Sequence, residues 1–238
     1  QHQVDHRLQG AARAQVAIRL AVIYLMNHKP DRALMTLQAT QTTNLATELR
    51  RQRLLLEARA LSDTGRNQLA LEVIANIDTR EAMRLRADIL WAAKRWRESA
   101  EQIELLFGDR WRDWQPLNDT ERSDLLRAAV GYALAQDKLG LDRFRERYAA
   151  KMTSTPERRA FEVATNPLKA SSAEFRAVAQ AIATGNTLEG FLRDLRDRYP
   201  ETGAFSARAT HAQQSRVPLA DPASTAAIAP RRSAPLVR

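Results

Sequence analysis

The stretch AIRLAVIYLMNHKPDRALMTL, residues 17–37, decides the fold. Its apolar and small residues recur three and four positions apart, as they do along one stripe of an α-helix. The run breaks once, at His28-Lys29-Pro30-Asp31, and the same periodicity then resumes. Two helices joined by so short a turn lie antiparallel. Within the pair the residues follow an order. Ala17-x-x-Leu20-Ala21-x-x-Tyr24 places large, small and aromatic positions on the first helix, and Ala33 with Leu37 places small and large positions on the second.

The same order returns twice downstream. Leu54, Ala58 and Leu61 precede a turn at Gly65-Arg66, with Ala70 and Ile74 beyond it. Met83, Ala87 and Leu90 precede a turn at Lys94-Arg95-Trp96, with Ser99 and Ile103 beyond it. The small residues Ala33, Ala70 and Ser99 stand 37 and 29 residues apart, a mean of 33. Small side chains at Ala21, Ala58 and Ala87 let the second helix of each hairpin approach closely while large neighbours fill the groove beside them. Each hairpin leaves one face bare, and the next hairpin covers it, so such units come in arrays.

On these residues the region 12–107 resembles the tetratricopeptide repeat (TPR) family, whose period is about 34 residues. The resemblance implies an all-α fold of antiparallel helix hairpins stacked as a TPR-like α-solenoid. It also implies a non-catalytic protein-protein interaction scaffold that holds a partner segment on a concave face built mainly by first helices. The first position of the pattern departs from the family, being Ala17, Leu54 and Met83, and the period is uneven. A helix-hairpin repeat of another kind accounts for the same residues.

Outside the repeats, residues 1–11 read as a frayed start and 108–117 as a turn-rich linker. A helix start at Asn118-Asp119-Thr120 opens a region, 118–206, of a further hairpin and capping helices. Leu125, Ala128, Ala129, Tyr132 and Ala133 belong to the first helix of that hairpin, 141–150 forms its second, and Gly140 is expected to turn the chain between them. Further helices are expected over 156–164, 172–183 and 187–199, the last two starting at Ser172 and Thr187. From residue 207 to 238, Ala, Ser, Pro and Arg dominate, and Pro218, Pro222, Pro230 and Pro235 predict a disordered tail.

Composition excludes several classes. Hydrophobic residues at 44% and charged residues at 27% are globular values, neither wholly disordered nor wholly membrane-embedded. With no cysteine, there is no disulfide framework, thiolate site or cysteine nucleophile, and the compartment is not readable, cytoplasmic and envelope-associated locations fitting equally. No stretch approaches the ~18 apolar residues of a membrane span. Residue 1 is Gln, so the true start is expected upstream. Of the net charge of +9, the tail carries +4, from five Arg against Asp221, and the remainder is spread thinly. That distribution is weaker than a clustered nucleic-acid face.

Catalytic chemistry is not found. His2 and His6 have a four-residue interval without a supporting helix pattern, His28 sits in a turn and His211 in the tail. No phosphate-cradling glycine loop or nucleophile elbow is present, and no cofactor or metal is implied. Asp194 and Asp197 stand among Arg193, Arg196 and Arg198 and read as a salt-bridged solvated face.

All four tryptophans, Trp91, Trp96, Trp111 and Trp114, fall within 24 residues among Arg95, Arg97, Arg110 and Arg112. Core packing is the first reading, a protein hot spot the second, and stacking of single-stranded nucleic acid, with the basic tail, the third. The partner-binding residues expected are Arg19, Arg53, Arg84 and Arg86, exposed on first helices, with Trp111 and Trp114. A protein or peptide partner is expected. A nucleic-acid-binding helical repeat and the terminal part of a larger envelope-associated assembly protein are the alternatives.

Overall fold

The computed structural model describes residues 10–41, 45–166, 172–185 and 187–200. Among them are eleven α-helices and no strand. Helices α1 (Gly10–Met26) and α2 (Pro30–Ala39), α3 (Thr47–Asp63) and α4 (Asn67–Val73), and α5 (Arg80–Ala92) and α6 (Trp96–Phe107) form three hairpins. After a 3₁₀ turn at Arg110–Arg112 come α7 (Asp119–Leu134) and α8 (Lys138–Met152), a fourth hairpin, then α9 (Arg158–Ala164), α10 (Ala173–Ala183) and α11 (Thr187–Arg198). The expected disordered tail over 207–238, most of the frayed start, and His2, His6 and His211 lie outside the described residues.

All four hairpins turn in the same way. His28, Gly65, Lys94 and Gln136 each adopt a left-handed backbone, with φ of 53°, 80°, 59° and 56°. The amide after each donates to the carbonyl five residues back: Lys29 to Tyr24, Arg66 to Leu61, Arg95 to Leu90 and Asp137 to Tyr132, at 2.9 to 3.0 Å. The left-handed residue's own amide bonds three residues back, at 2.8 to 3.1 Å. This is the Schellman closure, which satisfies carbonyls that the end of an α-helix leaves orphaned. Seven residues before each turn stands an alanine, Ala21, Ala58, Ala87 or Ala129, and each is 0% exposed. Their lack of bulk brings the paired helices together, and in the third hairpin the Ser99 hydroxyl donates to the Ala87 carbonyl at 2.8 Å.

The fourth turn corrects one expectation. Gly140 does not break the helices: the turn falls at Gln136, and Gly140 lies in the first turn of α8, where its amide donates to the N-cap carboxylate of Asp137 at 2.9 Å. Its glycine identity serves packing, since a Cβ there would come within 2.7 Å of the Tyr132 ring. Gly131 acts similarly on α7, where a Cβ would meet the Trp96 carbonyl at 2.9 Å and so hold α6 away.

Helices adjacent in sequence pack on each other from α1 through α10, and first helix meets first helix between α1 and α3 and between α3 and α5. Two apolar clusters result. One joins α1 to α5 through residues such as Ile18, Leu55, Leu56, Ile74 and Leu85. The other joins α6 to α10 around Tyr132, Phe144, Tyr148 and Phe161. Helix α11 departs from chain order: it follows α10, yet Leu188, Phe191, Leu192 and Leu195 bury in the first cluster. Among the described residues no helix is long and apolar enough to cross a membrane.

Candidate functional site

Those four α11 residues recur at i, i+3, i+4 and i+7, the pattern by which an amphipathic helix enters a groove. The groove belongs to the first helices. Arg59 of α3 donates to the Thr187 hydroxyl at 3.2 Å and stands 5.9 Å from the centre of the Phe191 ring. Arg84 of α5 lies 3.1 Å from Asp194, and Arg193 donates to the Thr120 hydroxyl of α7 at 3.1 Å. On the outer side of α11, Arg196, Asp197 and Arg198 are exposed.

Beneath and beside α11 runs a seam of ion pairs. Arg59 and Asp88 occupy the same place in consecutive hairpins, six residues before the turn, and approach to 4.0 Å. Asp88 also accepts from Arg127 of α7 at 2.6 Å, while Arg84 donates to Asp124 at 2.7 Å. Charges this buried persist only because each has a partner. Burial pushes the Asp124 and Asp194 carboxyls above the usual aspartate value, with Arg84 opposing. For Arg127, burial works against the charge, but Asp88 and Asp124 outweigh it and raise the pKa. A cleft of about 580 Å³ opens along the seam between α5, α7, α10 and α11, lined by Arg84, Asp124, Arg127 and Arg193 among others.

The structure revises the expected exposure of the site arginines. Arg53, 7% exposed, donates to the Thr40 hydroxyl and the Leu37 carbonyl, closing the end of α2. Arg86 closes the end of α4, reaching the carbonyls of Ile74 and Ile77 at 2.9 and 2.7 Å. Both add a charged donor to carbonyls at or just beyond a neighbouring helix end. Arg84, 9% exposed, belongs to the seam, and Arg19 is half-buried on α1. Asp194 likewise leaves the expected solvated face for Arg84, whereas Asp197 stays exposed. The seam residues Arg59, Asp88, Asp124 and Arg127 escaped the sequence reading. Their available signal was a charge inside an apolar run, as in Ala87-Asp88-Ile89-Leu90 and Leu125-Leu126-Arg127-Ala128.

The tryptophans divide. Trp91 and Trp96 pack edge to face, ring centres 4.9 Å apart. Trp111 joins the second cluster, with Arg112 and Arg147 4.7 and 5.9 Å from its ring centre. Trp114 does not plug the linker as Trp111 does; it is 89% exposed. The loop bearing it is nevertheless held firmly. Arg110 grips Glu121 through two hydrogen bonds of 2.8 and 3.1 Å and donates to the carbonyls of Gln115 and Pro116. Lys151 donates to the carbonyls of Asp113 and Gln115. Glu121 also closes a capping box with Asn118 at the start of α7. Despite burial, which works the other way, Arg110 and the Asn118 amide hold the Glu121 carboxyl below its usual value.

Among the described residues no group of three or more His, Asp and Glu side chains is placed to hold a metal. No protein-family model, curated protein or solved structure matches this chain.

Proposed function

We propose that the chain is a non-catalytic scaffold of TPR-like helix-hairpin repeats, stacked as an α-solenoid, that binds a protein partner. The observation that carries this reading is Trp114. An indole 89% exposed on a loop pinned by Arg110 and Lys151 loses little conformational freedom on binding and offers a large apolar contact. The partner presents an apolar pocket for that ring. The second element of the reading is a binding face built by the first helices, and the chain's own α11 packs over part of that first-helix surface.

The nucleic-acid alternative has less support. Arg95, Arg97, Arg110 and Arg112 all pair with acidic side chains, and three of the four indoles are engaged in packing. The test is retention of partners from a lysate of the source cells on the immobilised full chain, with nuclease and at two salt concentrations. A discrete protein that survives both, and whose retention falls at least tenfold with Trp114→Ala, supports the scaffold. Recovery of nucleic acid alone, lost with salt, overturns it.

A further inference from the structure

We propose that the first-helix surface beneath α11 is a receptor for an amphipathic helix supplied by a partner, and that α11 is its built-in competitor. The occupant carries large apolar residues at i, i+3, i+4 and i+7 and a carboxylate at i+6, as Leu188, Phe191, Leu192, Leu195 and Asp194 do. This rests on the scaffold reading but uses a surface other than Trp114, so the Trp114 variant does not decide it.

Four observations point to exchange. First, α11 crosses from the cluster of its sequence neighbour α10 to that of α1 to α5, so one chain segment provides what a separate helix would. Second, its polar ties are few: single hydrogen bonds from Arg59 to Thr187 and from Arg193 to Thr120, the Arg84 Nε 3.1 Å from Asp194 without an aligned hydrogen bond, and Arg198 3.9 Å from Glu48. Third, the open cleft of about 580 Å³ flanks it, and α10, which leads into it, buries only Phe175. Fourth, its outer face is charged and its apolar residues all lie on the buried face, as in an amphipathic helix that docks through one side.

Segments with few buried contacts and solvent on one side open below the global unfolding transition. A helix in trans with the same pattern then competes with α11, whose tether gives it a high effective concentration. Arg84, already shared between Asp124 and Asp194, selects the carboxylate.

The experiment uses the full chain and a fluorescein-labelled peptide of residues 187–200. In the wild type, hydrogen exchange at α11 amides is expected to run at least tenfold faster than at α5. The peptide is expected to bind a Phe191→Ala/Leu195→Ala chain at least tenfold more tightly than the wild type, because the competitor is weakened. A peptide with Asp194→Arg is expected to lose at least tenfold. Equal exchange at α11 and α5 overturns the proposal, as does absence of peptide binding to a double variant that still melts cooperatively. If the double variant does not fold, the wild-type exchange comparison decides. Concentration-dependent dimers that shut out the peptide would also overturn it, assigning the groove to α11 of a second copy.

Discussion

Arg84 and Asp194, far apart in the chain, meet at 3.1 Å, and the same guanidinium donates to Asp124 at 2.7 Å. One cation therefore serves two half-buried carboxylates on different helices. Arg84→Ala leaves both without it and is expected to cost about 3 kcal/mol at neutral pH, read from urea unfolding. Burial raises both carboxyls above their ordinary value, so their contribution is fully present at low pH and is lost as pH rises through the folded-state value. The deficit of Arg84→Ala is accordingly expected to shrink as pH falls from 7 toward about 4. A deficit that grows on acidification refutes this account of the seam.

Glu121 has the opposite sign. Its carboxyl is held low, so its contribution is present at neutral pH and is lost as pH falls through the folded-state value. Glu121→Gln is expected to flatten the pH dependence of unfolding free energy below about pH 5, where the wild type weakens. Parallel curves for the two proteins would show that the Arg110 grip does not set it.

At the buried alanines, added bulk has nowhere to go. Ala58→Leu and Ala87→Leu are each expected to destabilise by about 1–3 kcal/mol in urea unfolding. Ala181→Leu, at an exposed position of α10, is expected to change stability by less than about 0.5 kcal/mol. Equal effects would mean that close helix approach is not what the alanines provide.

Two glycines give opposite expectations. Gly131→Ala drives a methyl against the Trp96 carbonyl and is expected to cost about 1–3 kcal/mol. At Gly190, inside α11, a Cβ meets nothing within 4 Å, and Gly190→Ala is expected to stabilise by about 0.5–1 kcal/mol. Thermal melts of the two variants check both signs.

The hairpins and their buried alanines were legible because helix periodicity and turn residues are local signals, carried within some twenty residues such as 17–37. The fourth turn was misplaced at Gly140 because glycine marks both turns and close contacts, and the neighbour that decides between them, Tyr132, becomes apparent only in space. The site arginines were misjudged for a related reason. A long cationic side chain on a helix reads as solvated, but at Arg53 and Arg86 it meets carbonyls at the end of the preceding hairpin. The return of α11 to α3 and α5 depends on contacts more than a hundred residues apart, such as Arg59 with Thr187, which no short-range pattern encodes.

The identical turns at His28, Gly65, Lys94 and Gln136 stand 37, 29 and 42 residues apart. Length therefore varies between one bend and the next while the bend itself is kept. The molecule behaves as a string of fixed elbows joined by adjustable limbs. Extra residues are best accommodated in the limbs, and a single residue inserted between Gln136 and Asp137 would pull the Asp137 amide out of register with the Tyr132 carbonyl.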